Sequence, residues 1–385
     1  VSPELQHNLS RFYFTYYFFV GSFVPYWGLY LQSQDFSAVD IGILMSLFQI
    51  SRIFAPNFWG WLADHTGQRV KWIRLTALLG LLGFSAVFWV SGFFWLFCVM
   101  VALSLFTSST MPLAESLTMA HLGKNQKEQD YSRIRMWGSL GFIVASIMLG
   151  YLIDLYSIHM LLWFLLAVQL ILWLLTFRLP ETQVAAHAHD HFSIWQVLKH
   201  PNVIALLVGC AMMVTAHGVL YNFYSIYLSS HGYSKGLIGW LWSVGVMCEI
   251  GVFLLMPRLL ARFSLKQILM VSLLLAVIRF TLIGYAVDHL WWMVFAQMLH
   301  AATFGSFHVA SIHVVTLFFN GRHQAKGQAI YNSVAYGIGG TIGGVAGGFA
   351  LQHLGGELTF MLSALFPLLG LLTIGFGLHL HQQNQ

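Results

Sequence analysis

Long apolar runs alternate with short charged connections along the whole chain, and that rhythm limits what it can fold into. A helix needs about 20 apolar residues to cross a bilayer. Twelve runs approach that length, at roughly 11–31, 38–61, 72–91, 93–119, 134–154, 159–177, 203–228, 236–256, 267–286, 290–318, 329–352 and 357–380. Composition agrees, with 58% of the 385 residues hydrophobic and only 8% charged. A soluble chain of this length would need a polar shell that these residues cannot supply. In lipid each backbone must satisfy its own hydrogen bonds, which helices do. The expected fold is an all-α integral membrane protein with twelve transmembrane helices. The first run lacks a cleavage site and reads as a retained helix rather than a signal peptide.

Orientation follows from Lys and Arg. Arg11, Arg69, Lys71, Arg74, Lys124, Lys127, Arg133, Arg135, Arg178, Lys199, Arg258, Arg262, Lys266, Arg322 and Lys326 flank connections on the side of the N-terminus, whereas the opposite loops hold only Lys235. Positive charge marks the cytoplasmic side, so both termini are expected there, in a bacterial-type inner membrane. The sequence pI of about 9.1 therefore reports topology and gives no reason to expect nucleic acid as a partner. Cys98, Cys210 and Cys248 all fall within apolar runs, which argues against a disulfide framework. The chain shows no HExxH, P-loop or nucleophile elbow, so an enzyme is not expected.

The longest connection without a hydrophobic run is "RLPETQVAAHAHDHFSIWQVLKH", residues 178–200. It divides the chain into an N-terminal six-helix bundle at 1–178, a cytoplasmic linker at 179–200 and a C-terminal six-helix bundle at 201–385. Two such halves around a midplane cavity are a common plan of secondary transporters. His187, His189, Asp190 and His191 in the linker read as a solvated loop rather than a metal site.

After the second run comes "GWLADHTGQRVK", residues 60–71. It resembles the Gly-x-Leu-Ala-Asp-x-x-Gly-x-Arg-x-Lys signature of the major facilitator superfamily. The resemblance implies a gating role for Gly60, Asp64, Gly67 and Arg69. Gly60 would permit close helix approach, and Asp64 can pair with Arg69. Further on, "YGIGGTIGGVAGG" at 336–348 repeats paired glycines every four residues. The pairs read as one smooth stripe for close packing or sliding.

A charge near the bilayer centre costs at least ~2.5–3.5 kcal/mol on insertion scales, so each one needs a reason. The candidates are Arg52, Glu115, Arg135, His217, Glu249, Arg279 and His300. At a rise of ~1.5 Å per residue, Arg279 and His300 lie at similar depths and Glu249 somewhat deeper, so the three are expected to cluster. Glu115 and Arg135 share a depth near the cytoplasmic face and are expected to pair. On a helix turning 100° per residue, His308 is rotated about 80° from His300 and His313 about 220°. The three rings are then not expected to share a face, and no metal site is expected.

"PLAE" ending at Glu115 and "YSRIRMWGSLGF" at 131–142 are similar to the fourth and fifth helices of the lactose permease branch of the superfamily. That resemblance implies that Glu115, Arg135 and Phe142 contact substrate. It also implies that Glu249, Arg279 and the His300 of "LH" couple protons. Two departures stand out. Thr303 replaces a glutamate of the lactose permease pattern, and His217 with Gln297 stands where that branch has a buried Asp–Lys pair. "AHGVLYNFYSIYLSSHGYSKGLIGWLWSVGVMCE" at 216–249, "DYSRIRMWGS" at 130–139 and the arginine of "QISRIF" at 49–54 are most similar to the 3-phenylpropionate permease group of the same branch.

Arg52 and Arg135 face one carboxylate, Glu115, which leaves one positive charge for a substrate carboxylate to complete. Arginine suits that task because its planar fork bonds bidentately. Aromatic residues make up 16% of the chain, and Tyr16, Tyr221 and Asn222 are candidate wall residues. The expected function is proton-coupled uptake of a small aromatic carboxylate such as 3-phenylpropionate, with protons as the coupling ion, no cofactor and a working monomer. The other reading is a proton-coupled sugar or nucleoside symporter. Glu249 is the expected proton carrier, because its burial and the nearby Arg279 charge can shift with conformation. His300 and His217 would assist, since an imidazole in water titrates at about 6.5.

Overall fold

A computed structural model describes residues 3–122, 127–182, 195–319 and 324–380. Among them the regular structure is entirely helical, with no strand. The linker histidines His187, His189 and His191, with Asp190, lie outside the described residues.

Among the described residues, twelve rods follow the twelve apolar runs. They are α1 (Pro3–Ser33), α2 (Ala38–Thr66), α3 (Arg69–Ser85), α4 (Phe93–Leu122), α5 (Lys127–Leu155) and α6 (Met160–Thr176). After the linker come α7 (Pro201–Ser230), α8 (Lys235–Arg262), α9 (Leu265–Tyr285) and α10 (Leu290–Phe318). The last two, α11 (324–354) and α12 (356–377), follow one another directly and break at Gly355, whose φ of 82° only glycine adopts without strain. Nine apolar spans of membrane length are present among the described residues. One of them is this broken pair, and α1 and the short α6 complete the set. Large apolar side chains point outward, as Trp89, Tyr285, Trp291 and Phe376 do at 80% exposure or more. Such a surface suits lipid.

The chain forms two compact units. The first contains residues 1–36, 50–189 and 232–243, and the second contains 37–49, 190–231 and 244–385. Each unit thus takes one helix end from the other half of the sequence. In the first unit, α8 starts against α5, because the Asp154 carboxylate accepts the N–H groups of Lys235 (2.9 Å) and Gly236 (2.7 Å). A carboxylate at a helix N-terminus satisfies donors the helix itself cannot. In the second unit, the first half of α2 packs on α11. A Cβ added to Gly42 would lie 2.5 Å from the carbonyl oxygen of Gly344.

The glycine pairs of α11 make two stripes rather than one. Gly339, Gly343 and Gly347 face Ala211, Thr215 and Phe223 of α7, while Gly340, Gly344 and Gly348 face Gln49, Ser46 and Ala38. Because i, i+4 and i+8 share a face, paired glycines serve two neighbours at once. α7 is the centre of the second unit, with 83% of its most apolar window buried. Gly60 behaves differently from expectation. A Cβ there would meet nothing within 4 Å, so it mediates no close approach among the described residues.

Candidate functional site

The second unit buries a guanidinium. Arg279 of α9 is 0% exposed, so each of its donors needs an acceptor. Nη1 donates to His217 Nε2 at 3.1 Å, His300 Nδ1 at 3.0 Å and Thr303 Oγ1 at 3.1 Å. Nη2 donates to Gln297 Oε1 at 3.2 Å. None of these four partners is a carboxylate. The tautomers follow from the partners. His217 Nδ1 lies 2.9 Å from the Met213 carbonyl, which can only accept, so Nδ1 carries the proton and Nε2 is bare toward Arg279. His300 likewise presents a bare Nδ1.

Three of those partners are the positions at which the chain departs from the lactose permease pattern: His217, Gln297 and Thr303. They do not scatter through the unit but meet on one side chain. Sequence reading placed His217 in the set but left Gln297 and Thr303 outside it. The available signal was that all three departures involve neutral acceptors. Glu249 of α8 is half-buried and packs over Gly305, whose Cβ would lie 3.2 Å from its Cγ. One turn earlier on α8, a Cβ on Gly245 would lie 3.3 Å from both Gln297 Oε1 and His300 Cδ2.

Beside this set runs a row of rings. Residues Ala301–Ser306 of α10 are π-helical, a winding that recurs at functional sites. It changes the angular register on which the three histidines were expected to diverge. His300 and Phe304 stack at 5.3 Å and 10°, and Phe304 and His308 at 6.2 Å and 8°. His300 and His308 therefore share one side, because the wide turn offsets the drift of an α-helix. Tyr221 and Tyr336 approach Phe304 edge-on at 6.5 and 6.4 Å. The Tyr336 hydroxyl meets His308 Nδ1 at 3.1 Å. Tyr336 lies in a second π-helical segment, Asn332–Gly339. Phe304, His308, Tyr221 and Tyr336 are each half-buried, the exposure of a wall rather than a core. His313 is exposed. Asn222 turns away from Tyr221 and lies against the glycines, with its Nδ2 next to Gly344.

The first unit holds a separate ionic group. Tyr16 of α1 lies within electrostatic reach of Arg52, Glu115 and Arg135, from α2, α4 and α5. Glu115 accepts a long contact from the Tyr131 hydroxyl at 3.4 Å and feels the Arg135 charge. Arg135 lies over the Tyr17 ring at 4.2 Å, in cation–π geometry. Arg52 is exposed, Glu115 and Arg135 are half-buried, and Phe142 is half-buried with its backbone packed on Gly21. At the end of α2, Arg69 Nη2 donates to Asp64 Oδ1 at 2.8 Å. Gly67 between them has a φ of 65°, a conformation glycine favours. Glu181 caps α3 by accepting the N–H groups of Arg69 (3.1 Å) and Val70 (2.9 Å). Among the described residues no group of three or more His, Cys, Asp or Glu is placed to hold a metal.

A polytopic helical fold with ionic groups inside each unit is a frame shared by membrane transporters. The chain belongs to the MFS_1-like family, which it matches over residues 6–362. It is 32% identical over 353 residues to the "Probable 3-phenylpropionic acid transporter" of Escherichia coli (strain K12), covering 90% of this chain and 91% of that one. It is 26% identical to the "Uncharacterized transporter YwbF" of Bacillus subtilis (strain 168), covering 97% and 92%. Its fold matches the crystal structure of the nucleoside transporter NupG with a TM-score of 0.85 at 19% identity, covering 98% of this chain and 100% of that one. It is a multi-pass membrane transporter and not an enzyme.

Proposed function

We propose that this protein carries a small aromatic carboxylate, such as 3-phenylpropionate, into the cell together with protons. It would work as a monomer by alternating access in a bacterial inner membrane, with both termini in the cytoplasm. The observation that carries the reading is the bond from Arg279 to His300 Nδ1 at 3.0 Å. A proton arriving at that nitrogen must displace the guanidinium, because one lone pair cannot accept two donors. His217 Nε2 faces the same competition. Proton binding and the position of Arg279 are thereby linked, and a linkage of that kind is what coupling requires. Glu249, one helix over, is the proposed proton carrier, and His300 its relay.

Support for the substrate class comes from three directions. The relative from Escherichia coli is named for 3-phenylpropionic acid. The half-buried rings of Tyr221, Phe304 and Tyr336 suit an aromatic body. In the first unit, Arg52 and Arg135 against Glu115 leave a surplus positive charge that attracts an acid, with Tyr16 within electrostatic reach and Phe142 two turns along α5 from Arg135. Asp64, Arg69 and Gly67 are proposed to act at the cytoplasmic gate.

The test is uptake of labelled 3-phenylpropionate into proteoliposomes under an imposed pH gradient, inside alkaline. Accumulation above that of protein-free vesicles is expected, with competition from other arylalkanoic acids and none from disaccharides or nucleosides. Competition only by nucleosides or sugars would replace this substrate with the other reading. Uphill accumulation that survives Glu249→Gln would remove Glu249 as the carrier.

A further inference from the structure

The Arg279 set contains more donors than acceptors. The guanidinium has five N–H bonds, three hydrogens of which are engaged by His217, His300, Thr303 and Gln297 through Nη1 and Nη2. Among the described residues Nε has no partner, and neither does the amide Nε2 of Gln297. Nη2 has one acceptor for its two hydrogens. Arg279 is 0% and Gln297 1% exposed, so bulk water does not satisfy these groups. What remains is one edge of a guanidinium and an adjacent amide NH2, all donors, carrying a full positive charge in a low-dielectric interior. A buried cation bonded only by neutral groups is stabilised most by an anion that fills its remaining donors.

From this donor surplus we infer that the Nε–Nη2 edge of Arg279, together with Gln297 Nε2, is the seat of the transported acid's carboxylate. The inference rests on the proposed substrate class and deepens it. The geometry suits a carboxylate, whose two oxygens match the two parallel N–H bonds of a guanidinium edge. It also places the aromatic body. His300 bonds Arg279 on one side and stacks on Phe304 at 5.3 Å on the other, so the aromatic row begins one ring away from the anion seat. An arylalkyl carboxylate has that order of parts, an acid head separated by a short chain from a ring. Arg52 takes a different role. It is exposed and belongs to the first unit, so it serves to attract the acid rather than to hold it at Arg279.

Bound there, the carboxylate also changes the competition at His300. A guanidinium drawn toward an anion on its Nε edge holds Nη1 less firmly against the two imidazoles, which frees a lone pair for a proton. Glu249 over Gly305, His217, Tyr221 and Tyr224 on α7 and His300 on α10 are titratable groups around Arg279 that such a shift would affect. Substrate and proton then favour each other's binding.

The test uses the full-length purified protein and calorimetric binding of four probes: 3-phenylpropionate, its neutral amide, acetate and chloride. Gln297→Glu supplies a resident carboxylate at the position where Oε1 already accepts from Nη2. It should fold at least as well as the wild type, because it neutralises the buried cation. Wild-type protein should prefer the acid to the amide by about tenfold or more, the scale of charge-assisted hydrogen bonds. Gln297→Glu should lose the acid by that factor while keeping the amide. Arg279→Lys, which retains the charge without the fork, should lose the same preference and serves if Gln297→Glu does not fold. Unchanged acid binding in a folded variant overturns the seat and leaves the transport reading standing. If the wild type ignores 3-phenylpropionate, the substrate reading falls and the small anions decide. Acetate or chloride binding that disappears in Gln297→Glu retains the site, as a carboxylate or a general anion seat respectively. No anion binding to the wild type overturns it.

Discussion

Arg279 donates to Nδ1 of His300 across 3.0 Å, and the bond sets a fixed cation and a mobile proton against each other on one nitrogen. Removing the acceptor therefore has two separable effects. His300→Ala leaves a buried charged donor short of a partner, at a cost of about 1–3 kcal/mol, visible as a lower thermal midpoint. His300→Gln returns an acceptor and should recover most of that stability, yet it cannot carry a proton. Gradient-driven accumulation should stay lost in His300→Gln. A glutamine variant that accumulates substrate like the wild type would exclude His300 from the relay.

Phe304 lies between His300 and His308, with both rings within 10° of its plane. As the aromatic wall, it should contribute about 0.5–1.5 kcal/mol to binding an aryl acid. Phe304→Ala is then expected to weaken 3-phenylpropionate by roughly two- to tenfold, and to leave a straight-chain aliphatic acid of similar length unaffected. Equal losses for both ligands would make Phe304 a packing residue only.

Glycines of the same sequence rank differ in what surrounds them. Gly343 faces the Thr215 carbonyl so closely that a Cβ forces α7 and α11 apart, whereas Gly60 faces nothing within 4 Å. Gly343→Ala should lower stability by about 1–3 kcal/mol, as overpacking does. Gly60→Ala should leave stability unchanged or raise it by up to about 1 kcal/mol through helix propensity. Thermal midpoints of the two variants measure the contrast directly, and equal shifts would contradict it.

These contrasts show what could be read from residues alone. The twelve rods were legible because membrane crossing depends on local apolar length, which composition along the chain reports. The proximity of Arg279 and His300 was legible from depth, since rise per residue is constant along a regular helix. The ring row was not, because a turn of 100° per residue holds only for an α-helix and α10 winds as a π-helix over Ala301–Ser306. The exchange of helix ends between units was also hidden. It depends on which backbone approaches Gly42 or receives Asp154, and neither glycine nor aspartate announces its partner. Gly60 shows the converse, a motif glycine with no close neighbour.

The most direct measurement follows protons rather than substrate. Proteoliposomes at equal internal and external pH receive 3-phenylpropionate while a dye reports the external medium, with protein-free vesicles subtracted. Symport predicts a transient alkalinisation outside that appears with substrate uptake and is absent in Glu249→Gln. Protein-dependent uptake of the acid with no movement of external pH would contradict proton coupling.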